Sequence, residues 1–221
     1  MITLYGVLRS RATRTIWLLN ELGQDYTLKP VIQAYRLEAK GIDPLAPDAP
    51  FNTRTPEFLR LSPAGAIPVI EDNGLVLAES LAINLYLAKK SGSALGPQNA
   101  QEDALMTQWA LYGATAIEEP ALEIIFAYAG GLDEGAQRTI DAATDKLLRP
   151  LAVLEAHLST HSHMVGGRFT VADINMAELV RYAQPHAALI GRFPRVKGWL
   201  DLCQSRAAFK DMWAAREGEP A

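Results

Sequence analysis

The chain has 221 residues, of which 49% are hydrophobic and 21% charged, and a formal net charge of −4. This supports one large or two modest globular cores, and the slight acidity argues against an electrostatic nucleic-acid partner. No apolar run approaches the ~20 residues of a membrane span, and "MITLYGVLRSRATRTIW" has no apolar secretory core, so a cytoplasmic protein with no membrane partner is expected.

"MITLYG" reads as a short strand closed by Gly6. "SRATRTIWLLNELG" reads as a helix, with Ser10 as cap, an apolar set of Ile16, Leu18, Leu19 and Leu22, and Gly23 as stop. "DYTLKPVI" reads as a second strand, and Pro30 confines it to an edge. Residues 34–55, with several prolines, read as a surface loop holding a short helix, and "PEFLRL" as a helical turn with Pro56 first. "IPVIED" and "GLVLAE" form a hairpin across "DNG". "ESLAINLYLAKKSG" is an amphipathic helix closed by lysines and glycine.

Beyond about residue 98 the strand signals cease. A long helical pattern from Glu102 carries Pro120 as a kink, and a second long helix covers "DEGAQRTIDAATDKLLRPLAVLEAHLSTH". "TVADINMAELV" opens with Thr170 and Asp173 in a capping-box pattern, and "FPRVKGWLDLCQSRAAFKDMW" supplies one or two more helices. The expected fold is α/β plus all-α: a βαβ-ββα unit with a mixed sheet over residues 1–90, a linker over 91–98, and an all-helical domain over 99–221.

A single cysteine, Cys203, excludes an intrachain disulfide, a CxxC pair and a cysteine-rich zinc site. His157 and His161 have i, i+4 spacing at the end of a helix, where basic groups suit the dipole, so no metal site is expected there or at His163 and His186.

Three stretches make the chain resemble the cytosolic glutathione S-transferases, of the bacterial, serine- or tyrosine-type: "LYGVLRSRATRTIWLLNELGQDY", "FLRLSPAGAIPVIEDNGLVLAESLAINLYLAKK" and "GGRFTVADINMAELV". The second is the most specific. The resemblance covers essentially the whole chain and implies a thioredoxin-like N-terminal domain, a helical C-terminal domain and a symmetric homodimer. It implies a cis bond between Ile67 and Pro68, the one kind of peptide bond where cis is cheap. The Ile67 main chain then pairs with an extended tripeptide as an added strand. Glu79 and Ser80, at a helix start that favours a carboxylate, hold the γ-glutamyl end. The residues alone leave the simpler alternative of an edge-strand proline and an ordinary helix cap.

Two residues compete to activate the thiol. Ser10, in "SRATR", matches the serine-type pattern, and its hydroxyl and the neighbouring N–H groups face whatever sits at the helix start. Tyr5 ends the strand as the tyrosine does in tyrosine-type members. Ser10 is preferred; Tyr5 stays open as the alternative. Arg11 and Arg14, one turn into the helix, either steady the ligand or lie solvated on an exposed face. Where the family usually has "NPxGKVP" the chain has "SPAGAIP", so Ala66 replaces a lysine that serves the glycyl carboxylate. Arg54, Arg36 or Lys40 then takes that part. Leu8, Trp109 and Tyr112 are expected to line the pocket of a hydrophobic electrophile, although at helical spacing such residues are more often core. Glu102 or Asp103 is expected to reach a dimer partner's ligand.

The activity implied is transfer of glutathione, as co-substrate and without further cofactor, to a hydrophobic electrophile, as in detoxification. A glutathione-dependent disulfide or peroxide reductase and a non-catalytic scaffold domain are the alternatives on the same fold.

Overall fold

The computed structural model describes residues 1–219. They form two compact units, one made of residues 1–87 with the segment from Ala207 onward and one of residues 88–206.

In the first unit, strand β1 (Ile2–Tyr5) leads to helix α1 (Ala12–Leu22), β2 (Tyr26–Lys29), short helices α2 (Ala34–Glu38) and α3 (Pro56–Leu61), the hairpin β3 (Val69–Asp72) and β4 (Leu75–Ala78), and α4 (Ser80–Ser91). The sheet order is β2-β1-β3-β4, with β1 parallel to β2 and β3 antiparallel to both of its neighbours. This is the mixed sheet expected. β2 is an edge strand, as Pro30 after its last residue requires. The hairpin closes through Asn73 and Gly74, both at positive φ (51° and 87°), the conformation a two-residue loop demands.

Alternation along the strands sorts side chains to two faces. Tyr5 and Val69, opposite one another, share a core with Val7, Val31, Phe58 and Ile67. Leu4 and Ile70, the next pair, point to the other face and are fully buried.

The second unit is helical: α5 (Ala100–Tyr112), α6 (Glu118–Gly130), α7 (Glu134–Thr160), α8 (Val171–Val180), α9 (Ala187–Ile190) and α10 (Pro194–Gln204). Between α5 and α6 the helix widens into a π segment, Gly113–Ile117. The sequence places a kink at Pro120. A proline has no N–H to return to the carbonyl one turn earlier, and a wider turn absorbs the loss. Gly113, at the start of that segment, packs close against α8: a Cβ there would lie 2.4 Å from Leu179 Cδ1. The Thr170–Asp173 capping box forms as expected. Buried Asp173 also accepts the Met164 N–H and the Trp199 indole N–H, both at 2.9 Å; burial nevertheless pushes its carboxyl pKa up.

The expected linker is tied down. Arg168 donates to the carbonyls of Ala94 (2.9 Å) and Gly96 (3.1 Å) and pairs bidentately with Glu102 at 2.9 and 2.6 Å. The Val171 N–H donates to Leu95 O. Glu102 also accepts the Gln98 N–H at 2.9 Å.

The last helix, α11 (Ala207–Gly218), belongs with the first unit, whereas the sequence places it in the helical domain. The physical reason is aromatic: Phe209 meets the fully buried Trp17 of α1 edge-on, with centroids 4.9 Å apart. Among the described residues no helix is long and apolar enough to cross a membrane.

The hydrogen bonds from Arg168 lower the Glu102 pKa to about 2, from 4.5. A depressed carboxylate pKa contributes stability above its unfolded value that is lost as pH falls through the folded one. Glu102→Gln is therefore expected to lower the unfolding midpoint by about 2–4 °C at neutral pH. In thermal melts against pH, that difference should close as pH falls from the unfolded value of 4.5 toward about 2.

Candidate functional site

Strand register assembles one end of the first unit's sheet. Tyr5 faces Val69 and Val69 faces Ala78, so one step further along sets Gly6 beside Pro68 and Pro68 beside Glu79. Gly6 has no room for a side chain, since a Cβ would sit 3.0 Å from Ala12 Cβ and 3.9 Å from Pro68 Cα. The β1–α1 turn, the start of β3 and the start of α4 therefore meet at a single edge.

Two pieces of that edge have an unusual backbone. The Ile67–Pro68 bond is cis, and the Ile67 N–H and C=O take no hydrogen bond among the described residues. Glu79, immediately before α4, is an exposed non-glycine residue at φ 67°, a conformation costing about 1–2 kcal/mol. Its carbonyl accepts the Ile83 N–H at 2.9 Å and so starts α4. The first-turn N–H groups of a helix lack intrahelical partners, and they and the dipole favour an anion there. Strain of this kind persists only where the surroundings enforce it, and it concentrates at ligand sites.

Beside Glu79 lies Arg14. The sequence leaves it either on a ligand or solvated; it is instead 1% exposed, and its Nη1 donates to the buried Ser80 hydroxyl at 3.0 Å. Asn84 Nδ2 of α4 donates to the Arg14 carbonyl at 3.1 Å. Two bonds thus join α1 to the first two turns of α4. The solvated reading fails because the first two turns of α1 are buried on every side, Ala12 through Leu19 alike.

The two thiol-activating candidates do not converge. The Ser10 hydroxyl lies in the β1–α1 turn, donating to Val7 O at 2.6 Å and accepting the Ala12 N–H at 3.1 Å. Helix α1 starts two residues later than Ser10, with Arg11 in the cap position making no side-chain cap. The Tyr5 hydroxyl turns along the sheet face, donating to Glu71 at 3.1 Å with Lys29 Nζ at 3.4 Å. Glu71 lies opposite Thr3, on the side away from Pro68.

Among the cations, Arg11 is exposed, Arg54 pairs with Glu38 at 2.5 Å, and Arg36 donates to the Arg9 carbonyl. Leu8 is half-buried in the first unit. Trp109 and Tyr112 lie in the second, where Trp109 is buried with its ring 5.7 Å from Tyr112 and 4.9 Å from His157. Burial raises the Tyr112 pKa. The acids expected to serve a dimer partner are engaged within their own unit, Glu102 with Arg168 and Asp103 with Lys89 at 2.5 Å. His157 and His161 stack at 4.3 Å at the end of α7, and Cys203 is buried in α10. Sequence reasoning missed Arg14 as a structural cation and gave no role to Glu219, whose carboxylate accepts the N–H groups of Leu8 and Arg9, both at 2.7 Å.

Comparison with known proteins gives a consistent result. Residues 10–90 match the family model of the glutathione S-transferase N-terminal domain, and residues 104–207 match that of the C-terminal domain. Maize (Zea mays) glutathione S-transferase 3 is 30% identical over 97% of this chain and 94% of its own length. Horse (Equus caballus) elongation factor 1-gamma is 32% identical over 71% of this chain, which spans 36% of that longer protein. A Pseudomonas fluorescens glutathione transferase family member, solved with two glutathione bound, superposes with a TM-score of 0.76 at 27% identity, over 98% of this chain and 92% of its own.

If Glu79 is strained as its φ implies, Glu79→Gly should raise the unfolding free energy by about 0.5–1 kcal/mol, the relief of φ less the entropy a glycine adds to the unfolded chain. Urea denaturation measures this, and a loss of stability would show that position 79 is at ease with its side chain.

Proposed function

Because the chain belongs to the glutathione S-transferase family, we propose that it binds glutathione at this edge and delivers its thiolate to a hydrophobic electrophile. The observation that carries the reading is the juxtaposition, in one unit, of cis Pro68, strained Glu79 and the Arg14-held Ser80 hydroxyl. An extended tripeptide pairs with the Ile67 main chain. Its γ-glutamyl carboxylate takes the first-turn donors of α4 and Ser80, and its ammonium takes Glu79. Exposed Arg54 is the cation for the glycyl carboxylate, which would exchange a surface pairing with Glu38 for the ligand. Arg11, exposed at the start of α1, contributes positive charge to the same ligand.

Ser10 activates the thiol. A free thiol titrates near pKa 8.5, and hydrogen-bond donors and a helix start lower that value. When the ligand binds, the hydroxyl turns from Val7 O to the sulfur, where it and the start of α1 stabilise the thiolate once the thiol proton has left to solvent. The sulfur lone pair then forms a C–S bond. With a halide substrate the carbon–halogen bond breaks as the halide departs; with an activated alkene the carbanion formed takes a proton. Tyr5 is the weaker candidate, since its hydroxyl serves Glu71 on the sheet face. Of the residues expected to meet the electrophile, half-buried Leu8 belongs to the unit that carries Ser10. Homodimerisation and a cytoplasmic location are part of the proposal.

Spectrophotometric titration of the bound thiol tests the assignment. In the wild type the pKa of bound glutathione is expected to fall at least about one unit below the free value. Ser10→Ala should restore it and reduce the rate near neutral pH about 10²-fold or more, while Tyr5→Phe leaves it unchanged. A Tyr5→Phe effect alone would transfer the role to the tyrosine.

A further inference from the structure

The turn that carries Ser10 is held from the far end of the sequence. Glu219, just past α11, sets one carboxylate oxygen 2.7 Å from the Leu8 N–H and the other 2.7 Å from the Arg9 N–H. Both are charge-assisted bonds, the stronger kind. The clasp is reciprocal: Arg9 Nε donates to the Glu219 carbonyl at 3.0 Å and Arg9 Nη2 to the Glu217 carbonyl at 3.4 Å. A cation at the end of α11 also suits that helix's dipole. From the other side, Arg36 of α2 donates to the Arg9 carbonyl. Leu8 and Arg9 thus have both their N–H groups and the Arg9 carbonyl committed, directly before a serine whose own hydroxyl bonds Val7 O.

These bonds have a purpose the fold alone does not require. α11 is already docked on α1 through Trp17 and Phe209, and Asn20 Nδ2 reaches the Ala208 carbonyl at 3.5 Å. Removing the clasp would leave that packing in place while freeing a turn of few internal bonds, and local order of this kind is independent of global stability. A hydroxyl stabilises a developing anion best when its geometry is fixed beforehand.

We propose that Glu219 is a positioning residue for the reaction, a carboxylate clasp that fixes the Leu8–Arg9 turn so that Ser10 meets the glutathione sulfur in a single geometry. The proposal rests on the role of Ser10 given above. It assigns α11 to the site's machinery: helix and turn form one device, and the residue acts through Ser10 without touching substrate.

The test compares wild type with Glu219→Ala and Glu219→Gln, using Asp211→Asn, an exposed acid on the same helix, as control. In Glu219→Ala the kcat–pH profile should move about one pH unit higher, a roughly tenfold loss of rate on its acid side. KM for glutathione should stay within about twofold, because the groups that bind the peptide are elsewhere. Glu219→Gln, which keeps one acceptor oxygen, should fall between, and Asp211→Asn should match the wild type. Amide hydrogen exchange supplies a readout independent of turnover: the Leu8 and Arg9 amides should be protected in the wild type and exposed in Glu219→Ala. A superimposable pH profile, or equal exchange in both proteins, overturns the clasp. Failure of the wild type to turn over glutathione overturns the functional reading instead, and the exchange result still decides whether the clasp exists.

Discussion

An arginine buried to 1% exposure is the constraint around which the first unit is built. Burying a cation is costly unless its donors are used, and Arg14 uses one on Ser80, the first residue of α4. That bond ties α1 to the start of α4, directly beside the strained Glu79. The chain leaves β4, which is held in register to β3, and enters α4 with a single residue between Ala78 and Ser80. That residue takes a left-handed conformation. The strained position of the site thus adjoins a buried polar link between two helices.

The same economy governs the β1–α1 turn. Gly6 lets the turn close against Ala12, Ser10 bonds back to Val7, and Glu219 and Arg36 hold the peptide groups between them. Two helix starts and one unpaired stretch of main chain are brought together at an edge where the sheet itself demands no side chains. An extended anionic peptide finds main-chain donors already in place there, which is how preorganisation raises affinity.

Much of this was legible in the sequence because it is local. The "DNG" hairpin, the edge strand before Pro30, the capping box at Thr170 and Asp173, and the stop at Gly23 each follow from the chemistry of a few adjacent residues. The cis bond at Pro68 was legible only through family resemblance, since an isolated Ile-Pro reads equally well as an edge-strand break. What the sequence hid is long-range. Arginine at position 14 has the same local signature whether solvated or buried, and its partner is 66 residues away. The assignment of α11 to the first unit depends on Trp17 meeting Phe209, and the Arg168–Glu102 staple on a contact 66 residues apart. Pro120 announced a disturbance, but not that it takes the form of a π segment accommodated by Gly113 against Leu179.

The central claim is that the main chain at Ile67 and the start of α4 form the glutathione site. Backbone amide spectra of the isotope-labelled protein, recorded while glutathione is added, test it most directly. The account predicts that the Ile67 and Ser80 amides move first and furthest, with the Ser10 amide following as the sulfur arrives. Shifts confined to residues 88–206, or no shifts at all, would contradict it.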